Sequence, residues 1–389
     1  MPHVSYSPRA GITAGYFAQG CVFLSLTTRL PKLEDHWGLS QLGLTLIMLM
    51  IVLLAGAGSL LAEKVAPRRG SAIVLRAGLF AIGVALLVSG NSPNVPVLVV
   101  GLAVYGVALG MVDASTNMQA VSLEHQVQRT VLPSFHGSWT AGGIVGTLLT
   151  LALPHESVAM LSSALAILPV VVGCARFLPG SGSVPTPESA HGIPWRPILV
   201  VGAACVIFYT VDTASTTWGS VYFDHTLHAP SGLVALATLP YLVASFAARI
   251  AGDRFTDRFG APRLLRSGAV VAVAGLVVVV LAPNWPVGVL GFLVLGAGIA
   301  VVAPLSFSAA ATLTRSGGAA LDPEVARART DAVIARFNQF NYAGALIGSV
   351  LTGAIGTGSL RLGYAVPIVL VIALFPLAAS FERSRLAAG

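Results

Sequence analysis

The sequence contains few charged residues. Asp, Glu, Lys and Arg together make up only 10% of its 389 residues, whereas soluble globular domains contain roughly 25%. Hydrophobic residues make up 55%, and the mean hydropathy is +0.84. Each helix that crosses a bilayer needs about 20 mostly apolar residues. The composition therefore excludes soluble, secreted, disordered and fibrous proteins, and it predicts a helical membrane protein with many spans.

Cysteines and reaction motifs are also scarce. The three cysteines all lie in apolar runs, so we interpret them as packing residues rather than as disulfide partners or metal ligands. The sequence contains no Walker-type Gly-x-x-x-x-Gly-Lys motif and no His, Cys and Asp cluster with metal-ligand spacing. We therefore expect no enzyme activity, no cofactor, no bound metal and no ATP-driven transport by this chain alone.

Apolar segments recur along the whole chain and predict twelve transmembrane helices. The segments are at about residues 10–33, 40–61, 71–90, 95–120, 133–153, 156–178, 196–223, 231–251, 264–282, 286–312, 331–355 and 359–380. A stretch rich in Pro, Gly and Ser separates the sixth segment from the seventh. The sequence therefore predicts an all-α membrane protein with six-helix bundles at 1–178 and 196–389, joined by a cytoplasmic linker at 179–195.

The net charge of +7 indicates orientation in the membrane rather than binding to nucleic acid. With the N-terminus inside, only Arg29, Lys32 and Arg361 lie on the outer side, and the other 19 of 22 basic residues lie on or near the cytoplasmic side. The first apolar segment lacks a clear small-residue cleavage site, so it is interpreted as a retained helix. Both termini are therefore expected to be cytoplasmic.

The two predicted halves share sequence patterns. A charged loop follows the second helix as Glu63-Lys64-Val-Ala66-Pro67-Arg68-Arg69, and another follows the eighth as Asp253-Arg254-Phe-Thr-Asp257-Arg258-Phe-Gly260-Ala-Pro-Arg263. The fifth and eleventh helices match at an offset of 202, where Gly142 and Gly146 correspond to Gly344 and Gly348. Such Gly-x-x-x-Gly pairs let helix backbones approach closely in lipid. Parallel repeats of this kind are typical of transporters that bind their solute at the repeat interface.

These patterns resemble the major facilitator superfamily over essentially the whole chain. Asp257-Arg258-x-Gly260-x-x-Arg263 is similar to the family's signature in the loop between the second and third helices of a half. In the first-half copy Glu63 stands for the Asp, Ala66 stands for the Gly, and Pro67 is an inserted residue. The resemblance implies two parallel six-helix repeats that transport by alternating access.

A narrower resemblance is to a bacterial inner-membrane branch loosely related to fucose and other sugar permeases. The motifs that carry it include Arg29-x-Pro31, Met111-x-Asp113-x-x-x-Asn117 and Trp218-x-x-x-Tyr222. Helix seven departs from that branch, because Asp212 and Thr217 stand where the branch has Glu and Asp. The resemblance implies a bacterial cytoplasmic membrane as the location, and it leaves the substrate open.

Three titratable residues are candidates for coupling transport to protons: Asp113, Asp212 and His136. An ionisable side chain near the centre of a span costs about 2.5–3.5 kcal/mol on insertion scales, and we expect no basic residue deep in a span to neutralise these acids. A carboxyl group that is alternately buried and hydrated can take up a proton on one side and release it on the other. The alternatives are a structural hydrogen bond to a neighbouring helix for Asp113 and an interfacial hydrogen bond to Glu124 for His136.

Polar residues on the first, fourth, seventh and eleventh helices are candidates for lining a substrate cavity. They are Gln19, Arg29, Thr116, Asn117, Thr213, Thr216, Trp218, Tyr222, Asn338, Asn341 and Tyr342. The hydroxyl groups could instead bond their own helix carbonyls, and Trp218 could belong to the outer aromatic belt. Arg29 could attract an anionic solute, pair with Glu34 or Asp35, or anchor the first helix in the headgroups.

Residues of the two repeated charged loops are candidates for gating. They are Glu63, Lys64, Arg68, Arg69, Asp253, Asp257, Arg258, Gly260 and Arg263. Charge pairs between such loops and helix ends could latch one conformation. The alternative is a generic basic loop on the cytoplasmic side.

The sequence as a whole favours a secondary active transporter that moves a small solute by alternating access and is coupled to protons. An efflux pump for drugs or metabolites on the same fold is one alternative. A membrane receptor that does not transport is another, from a different functional class. The expected partners are a small-molecule substrate, the lipid bilayer and protons, with no nucleic acid, and a monomer is expected to suffice.

Overall fold

In the computed structural model the described residues are 6–127, 132–153, 156–178, 193–315, 333, 337, 339–356 and 358–386. Their regular structure is helical throughout, with no strand among them. The chain divides into two compact units, Met1–Ser183 with Ser231–Ala235 and Val184–Pro230 with Leu236–Gly389. The predicted all-α fold is confirmed.

The described part of the first unit contains seven α-helices. They are α1 (Tyr6–Thr27), α2 (Leu30–Trp37), α3 (Gln41–Arg69), α4 (Ser71–Gly90), α5 (Val95–Val127), α6 (Leu132–Ala152) and α7 (Val158–Gly173). The described part of the second unit contains eight α-helices, and a short 3₁₀ helix, Val234–Ala237, begins in the Ser231–Ala235 segment of the first unit. The α-helices are α8 (Trp195–His225), α9 (Leu239–Phe259), α10 (Ala261–Leu281), α11 (Trp285–Ile299), α12 (Val302–Arg315), α13 (Gln339–Gly356), α14 (Leu360–Ile372) and α15 (Leu374–Leu386).

The same order of helix pairs occurs in both units. In the first unit α1 packs against α6, α3 and α4 both pack against α5, and α4 packs against α7. In the second unit α8 packs against α13, α9 and α10 both pack against α11, and α10 packs against α14 and α15. Each unit is therefore a copy of one helix arrangement, in agreement with the repeats in the sequence.

Prolines break three of the predicted segments into two helices each. Pro31 lies in the first turn of α2, Pro304 in the first turn of α12 and Pro376 in the first turn of α15. Proline has no backbone N–H to donate to the carbonyl four residues earlier, and its ring crowds that carbonyl. The first, tenth and twelfth segments are therefore interrupted helices.

Two glycines form equivalent turns in the charged loops. Gly70 links α3 to α4 with φ +87°, and Gly260 links α9 to α10 with φ +80°. Residues other than glycine rarely adopt such angles. The structural equivalence therefore pairs Gly70 with Gly260, so that Glu63 corresponds to Asp253 and Pro67 to Asp257. The predicted correspondence of Ala66 with the signature glycine is wrong, because α3 continues through Ala66 and Pro67 to Arg69.

Glycines also let α1 pack closely on α6, and α8 on α13. A Cβ atom at Gly142 or Gly146 would clash with the carbonyl oxygen of Phe17 or Cys21 on α1. A Cβ atom at Gly348 would clash in the same way with the carbonyl oxygen of Thr210 on α8. The predicted Gly-x-x-x-Gly contacts thus exist in both units, and they hold together the helices that carry most of the candidate site residues.

Within the described ranges, nine helices are long and apolar enough to cross a membrane. They are Pro8–Thr27, Gln41–Ala66, Ser71–Gly90, Val95–Ala120, Trp195–His225, Val234–Gly252, Ala261–Leu281, Trp285–Thr314 and Leu360–Phe381. Helix α7 is apolar but shorter, and the polar, glycine-rich helices α6 and α13 are not among the nine. The count of twelve spans stays a prediction.

Candidate functional site

In the first unit, α1 and α5 bring two pairs of polar side chains together. The Gln19 Nε2 donates a long hydrogen bond of 3.4 Å to the Asp113 Oδ1, and the Tyr16 hydroxyl donates one of 2.7 Å to the Asn117 Oδ1. Asn117 in turn donates through its Nδ2 to the backbone carbonyl of Asp113, at 2.9 Å. Three predicted residues, Gln19, Asp113 and Asn117, therefore form one cluster with Tyr16.

Only one of the two polar atoms of the Gln19 amide has a hydrogen-bond partner in this cluster. The side chain is 6% exposed, and its Oε1 has no hydrogen-bond partner within the part of the chain that the structure describes. A buried acceptor without a donor is costly. A bound solute or an ordered water beside Asp113 would supply that donor.

Helix α6 adds two aromatic rings to the same cluster. The ring of Phe135 stacks on Tyr16 with centroids 5.8 Å apart, and the imidazole of His136 lies 5.3 Å from the Tyr16 ring. His136 is exposed, whereas Tyr16 is 1% exposed. The titratable His136 therefore lies between solvent and the buried polar cluster. Thr116, by contrast, bonds the backbone carbonyls of Val112 and Asp113 in its own helix, as the alternative interpretation held.

In the second unit, α8 and α9 form a polar cluster around Asp212. The Tyr241 hydroxyl donates a hydrogen bond of 2.7 Å to the Asp212 Oδ1. Arg249 lies within the Val234–Gly252 span, and its positive charge acts on the Asp212 carboxyl group. This basic partner of Asp212, near the end of its span, was not expected from the sequence. Arg249 also donates to the Ala300 carbonyl and lies over the Phe208 ring, with its guanidinium carbon 5.7 Å from the ring centroid.

The hydroxyl groups of α8 are largely directed to their own helix. Thr216 bonds the Asp212 carbonyl at 2.8 Å, and Thr213 is buried nearby. Both threonines remain close to the Asp212 carboxyl group along the helix. The candidate binding group of this part of α8 is therefore the Asp212 carboxyl group rather than a set of unbonded hydroxyl groups.

Trp218 and Tyr222 are packing residues of the second unit. Both are fully buried, the Trp218 Nε1 donates to the Ser349 carbonyl at 2.8 Å, and the Tyr222 hydroxyl donates to the Val279 carbonyl at 2.7 Å. Their polar atoms thus connect α8 to α13 and α10. The predicted use of Trp218 for stacking on a solute is wrong, since no part of its ring is exposed. The aromatic-belt alternative is wrong for the same reason.

Arg29 is buried at the end of α1. It is 4% exposed, and its Nη2 donates to the backbone carbonyls of Leu153 at 2.8 Å and Glu156 at 3.4 Å. A side chain this deeply buried does not anchor the helix in headgroups. Its hydrogen bonds go to backbone carbonyls rather than to the predicted partners Glu34 and Asp35.

The remaining predicted residues belong to the stretch around α13 and to the two charged loops. Asn341 and Tyr342 are half-buried on α13, whereas Asn338 lies outside the described residues. Gly260 forms its turn, and the other described loop residues are exposed: Glu63, Lys64, Arg68, Arg69, Arg258 and Arg263. The side chains of Asp253 and Asp257 are outside the described part, as is most of the linker 179–195.

Sequence reasoning missed Tyr16 on α1 and three residues on α9. Tyr241, Ser245 and Arg249 are spaced by four residues, so they share one face of the helix. Ser245 bonds the Gly296 carbonyl at 3.0 Å, between the two residues that act on Asp212. This four-residue spacing was visible in the sequence, as was the spacing of three between Tyr16 and Gln19.

Comparisons with curated proteins find transporters. An uncharacterised transporter of Sinorhizobium fredii is 26% identical over 327 residues, which is 81% of this chain and 85% of the relative. An uncharacterised MFS-type transporter of Yersinia pestis is 25% identical over 79% of this chain and 81% of its own. The membrane protein MosC of Rhizobium meliloti is 22% identical over 98% of this chain and 93% of its own. No protein-family model matches the chain.

Solved transporter structures share the fold. A mutant of the nucleoside transporter NupG aligns with a TM-score of 0.71 and 13% identity, covering 97% of this chain and 99% of its own. A bacterial homologue of the human lysosomal transporter Spinster aligns with a TM-score of 0.68 and 12% identity, covering 99% and 98%. At such identities the likeness concerns the fold alone.

Proposed function

We propose that the chain is a secondary active transporter of the major facilitator superfamily that moves a small polar solute by alternating access, coupled to protons. Its relatives and structural neighbours are transporters and not enzymes. The observation that carries the proposal is that each unit places one carboxyl group in a span, next to an uncharged donor from another helix. Those donors are Gln19 for Asp113 and Tyr241 for Asp212.

Asp212 is the stronger candidate for the coupling step. A proton and the guanidinium of Arg249 compete for the same carboxyl group, since either one neutralises its charge. Tyr241 keeps one carboxyl oxygen in place in both states, because a phenol can donate to the ionised and to the neutral acid. Movement of Arg249 toward or away from Asp212 would therefore release or admit a proton.

Asp113 supplies a second titratable group, and the residues around it suit both a proton and a solute. The ring of His136 lies against Tyr16, and histidine side chains are common proton carriers in proteins. The unpartnered Gln19 Oε1 suits a solute hydroxyl or amine that donates a hydrogen bond.

The proposal also covers the orientation of the protein in the membrane and the role of its two charged loops. We place the protein in the bacterial cytoplasmic membrane with both termini in the cytoplasm, on the distribution of its basic residues. The loops that turn at Gly70 and Gly260 would then be cytoplasmic and available to latch a conformation. A single chain would suffice, because both carboxyl groups are on it.

The experiment is solute uptake by the purified protein in proteoliposomes. A panel of radiolabelled sugars, nucleosides and amino acids is offered with an inward proton gradient, and protein-free liposomes set the background. We expect at least one polar solute to accumulate above background, and to stop accumulating when the gradient is dissipated. Uptake of no solute in either direction, by protein of verified fold, would contradict transport and favour a receptor.

The role of Asp212 is tested by a pair of matched variants. Asp212→Asn keeps the shape and the hydrogen bond from Tyr241, and should lose accumulation while retaining exchange of labelled for unlabelled solute. Asp224→Asn makes the same substitution at the end of the same helix, where Asp224 lies 3.6 Å from His225, and should accumulate like the unmodified protein. Equal accumulation by both variants would remove Asp212 from the coupling step.

A further inference from the structure

A small cavity in the first unit is separate from the Asp113 cluster. Its volume is about 30 Å³, and it lies among α1, α2, α4, α5 and α7. The lining is mostly aliphatic, with residues such as Leu86, Leu98 and Leu165. Neither Asp113 nor Asn117 lines it. The cavity is therefore a feature that the proposed transport cycle does not use.

Five buried polar atoms of the lining residues have no hydrogen-bond partner in the described structure. They are the hydroxyl oxygens of Ser25, Ser89 and Tyr105 and the Nε and Nη1 of Arg29. All four side chains are at least nine-tenths buried. Ser25 is on α1, Arg29 is the residue before α2, Ser89 is on α4 and Tyr105 is on α5. Leaving so many buried donors unpaired would be costly, so they indicate a ligand.

Charge distinguishes an anion from a water molecule in this cavity. Arg29 is the one charged residue in the lining, and only its Nη2 is hydrogen-bonded. Burial lowers the pKa of the Arg29 guanidinium, and Glu156, which does not line the cavity, offsets this in part. Three N–H donors, one on Nε and two on Nη1, and much of a positive charge therefore remain to be balanced. A water molecule would accept from some of these donors but would balance no charge.

Size sets the class of anion. About 10–15 Å³ of this kind of volume holds one water molecule, so a cavity of about 30 Å³ has room for a small inorganic anion such as chloride and not for a solute of the size of a sugar. We propose that Arg29, Ser25, Ser89 and Tyr105 form a chloride site inside the first unit. The bound ion accepts from the guanidinium and the hydroxyls and so ties α1 to α4 and α5.

The proposal is tested by thermal unfolding of the purified full-length protein in detergent. Melting temperatures are measured in sodium chloride, sodium bromide and sodium gluconate at equal ionic strength. A ligand that binds only the folded state raises the midpoint in proportion to the logarithm of its concentration above Kd. We expect chloride and bromide to raise the melting temperature in this way and gluconate, which is too large for the cavity, to leave it unchanged.

Two variants and a control connect the effect to the cavity. Tyr105→Phe removes one hydroxyl, and Arg29→Gln removes the charge; we expect the chloride Kd to rise severalfold in the first and at least about tenfold in the second. Arg361→Gln removes another arginine that donates to a backbone carbonyl, Val280 at 2.7 Å, but does not line the cavity, and it should keep the wild-type Kd. If Arg29→Gln does not fold, Tyr105→Phe alone still tests the site.

Each of the following results would contradict the proposed chloride site. Equal melting temperatures in chloride and gluconate would mean that the cavity holds water only. An unchanged chloride dependence in both cavity variants would place the anion elsewhere, as would its loss in Arg361→Gln. A crystal of the protein soaked in bromide should show an anomalous peak among Ser25, Arg29, Ser89 and Tyr105, and a peak absent there would contradict the proposal.

Discussion

Replacing Gly146 by alanine tests whether the close contact between α1 and α6 is as tight as the structure has it. The added Cβ would clash with the carbonyl oxygen of Cys21, which is a backbone atom and cannot rotate away. Gly56 on α3 provides the matched control, because a Cβ there would meet nothing within 4 Å. Both substitutions change one helical glycine to alanine, so their intrinsic effects on helix stability are alike.

The expected difference follows from two opposing terms. Alanine is favoured over glycine in a helix interior by about 0.8–1 kcal/mol, which stabilises both variants. An extra methyl group forced into a packed interior costs about 1–3 kcal/mol, and only Gly146→Ala suffers it. The two variants should therefore differ by about 1–3 kcal/mol in the free energy of unfolding. For a unit of 150–250 residues that corresponds to roughly 2–12 °C in melting temperature.

The assay is thermal unfolding of both variants in the same detergent, followed by intrinsic fluorescence. Gly348→Ala is included because its Cβ would clash with the Thr210 carbonyl oxygen, the equivalent contact in the second unit. We expect Gly146→Ala and Gly348→Ala to melt below the unmodified protein or at its temperature, and Gly56→Ala above it. Equal melting temperatures for Gly146→Ala and Gly56→Ala would refute the close approach of α1 and α6.

Three further predictions concern the turns, the gate and the topology. Gly70→Ala and Gly260→Ala should each destabilise the protein by about 1 kcal/mol or more in chemical unfolding, because both glycines have positive φ; a neutral effect at Gly70 would break its equivalence with Gly260. Asp257→Ala should slow solute transport in proteoliposomes while leaving binding affinity nearly intact, and lost binding with normal turnover would contradict a gating role. A cysteine at Glu188 should resist membrane-impermeant reagents added to intact cells, whereas its labelling from outside would overturn the proposed topology.

Much of the fold could be predicted from the sequence, because few physical rules decide it. Low charge and long apolar runs require helices in a bilayer, and Gly142 with Gly146 marked a close helix contact. The turn in the first loop was placed wrongly, at Ala66 instead of Gly70. Local spacing favoured an inserted Pro67, and the positive φ that identifies the turn glycine is visible only in three dimensions.

The candidate site was only partly predictable. Asp113 and Asp212 stood out because acids are rare in spans, but their partners come from distant parts of the chain. Nothing local to Asp212 indicates that Arg249 acts on it. The prediction that Trp218 stacks on a solute was wrong because its partner is also distant in the sequence. Its hydrogen bond to Ser349 spans 131 residues, and only the folded unit shows that the ring is buried.

The central claim is coupling of solute movement to protons through Asp113 and Asp212, and the direct measurement is accumulation under an imposed pH gradient. Proteoliposomes that contain the unmodified protein or the double variant Asp113→Asn/Asp212→Asn are loaded with a known transported solute and given a gradient of one pH unit. One coupled proton can drive at most about tenfold accumulation at that gradient. The unmodified protein should approach that ratio, and the double variant should equilibrate the solute with a ratio near one. Full accumulation by the double variant would contradict the claim and place the coupling site elsewhere.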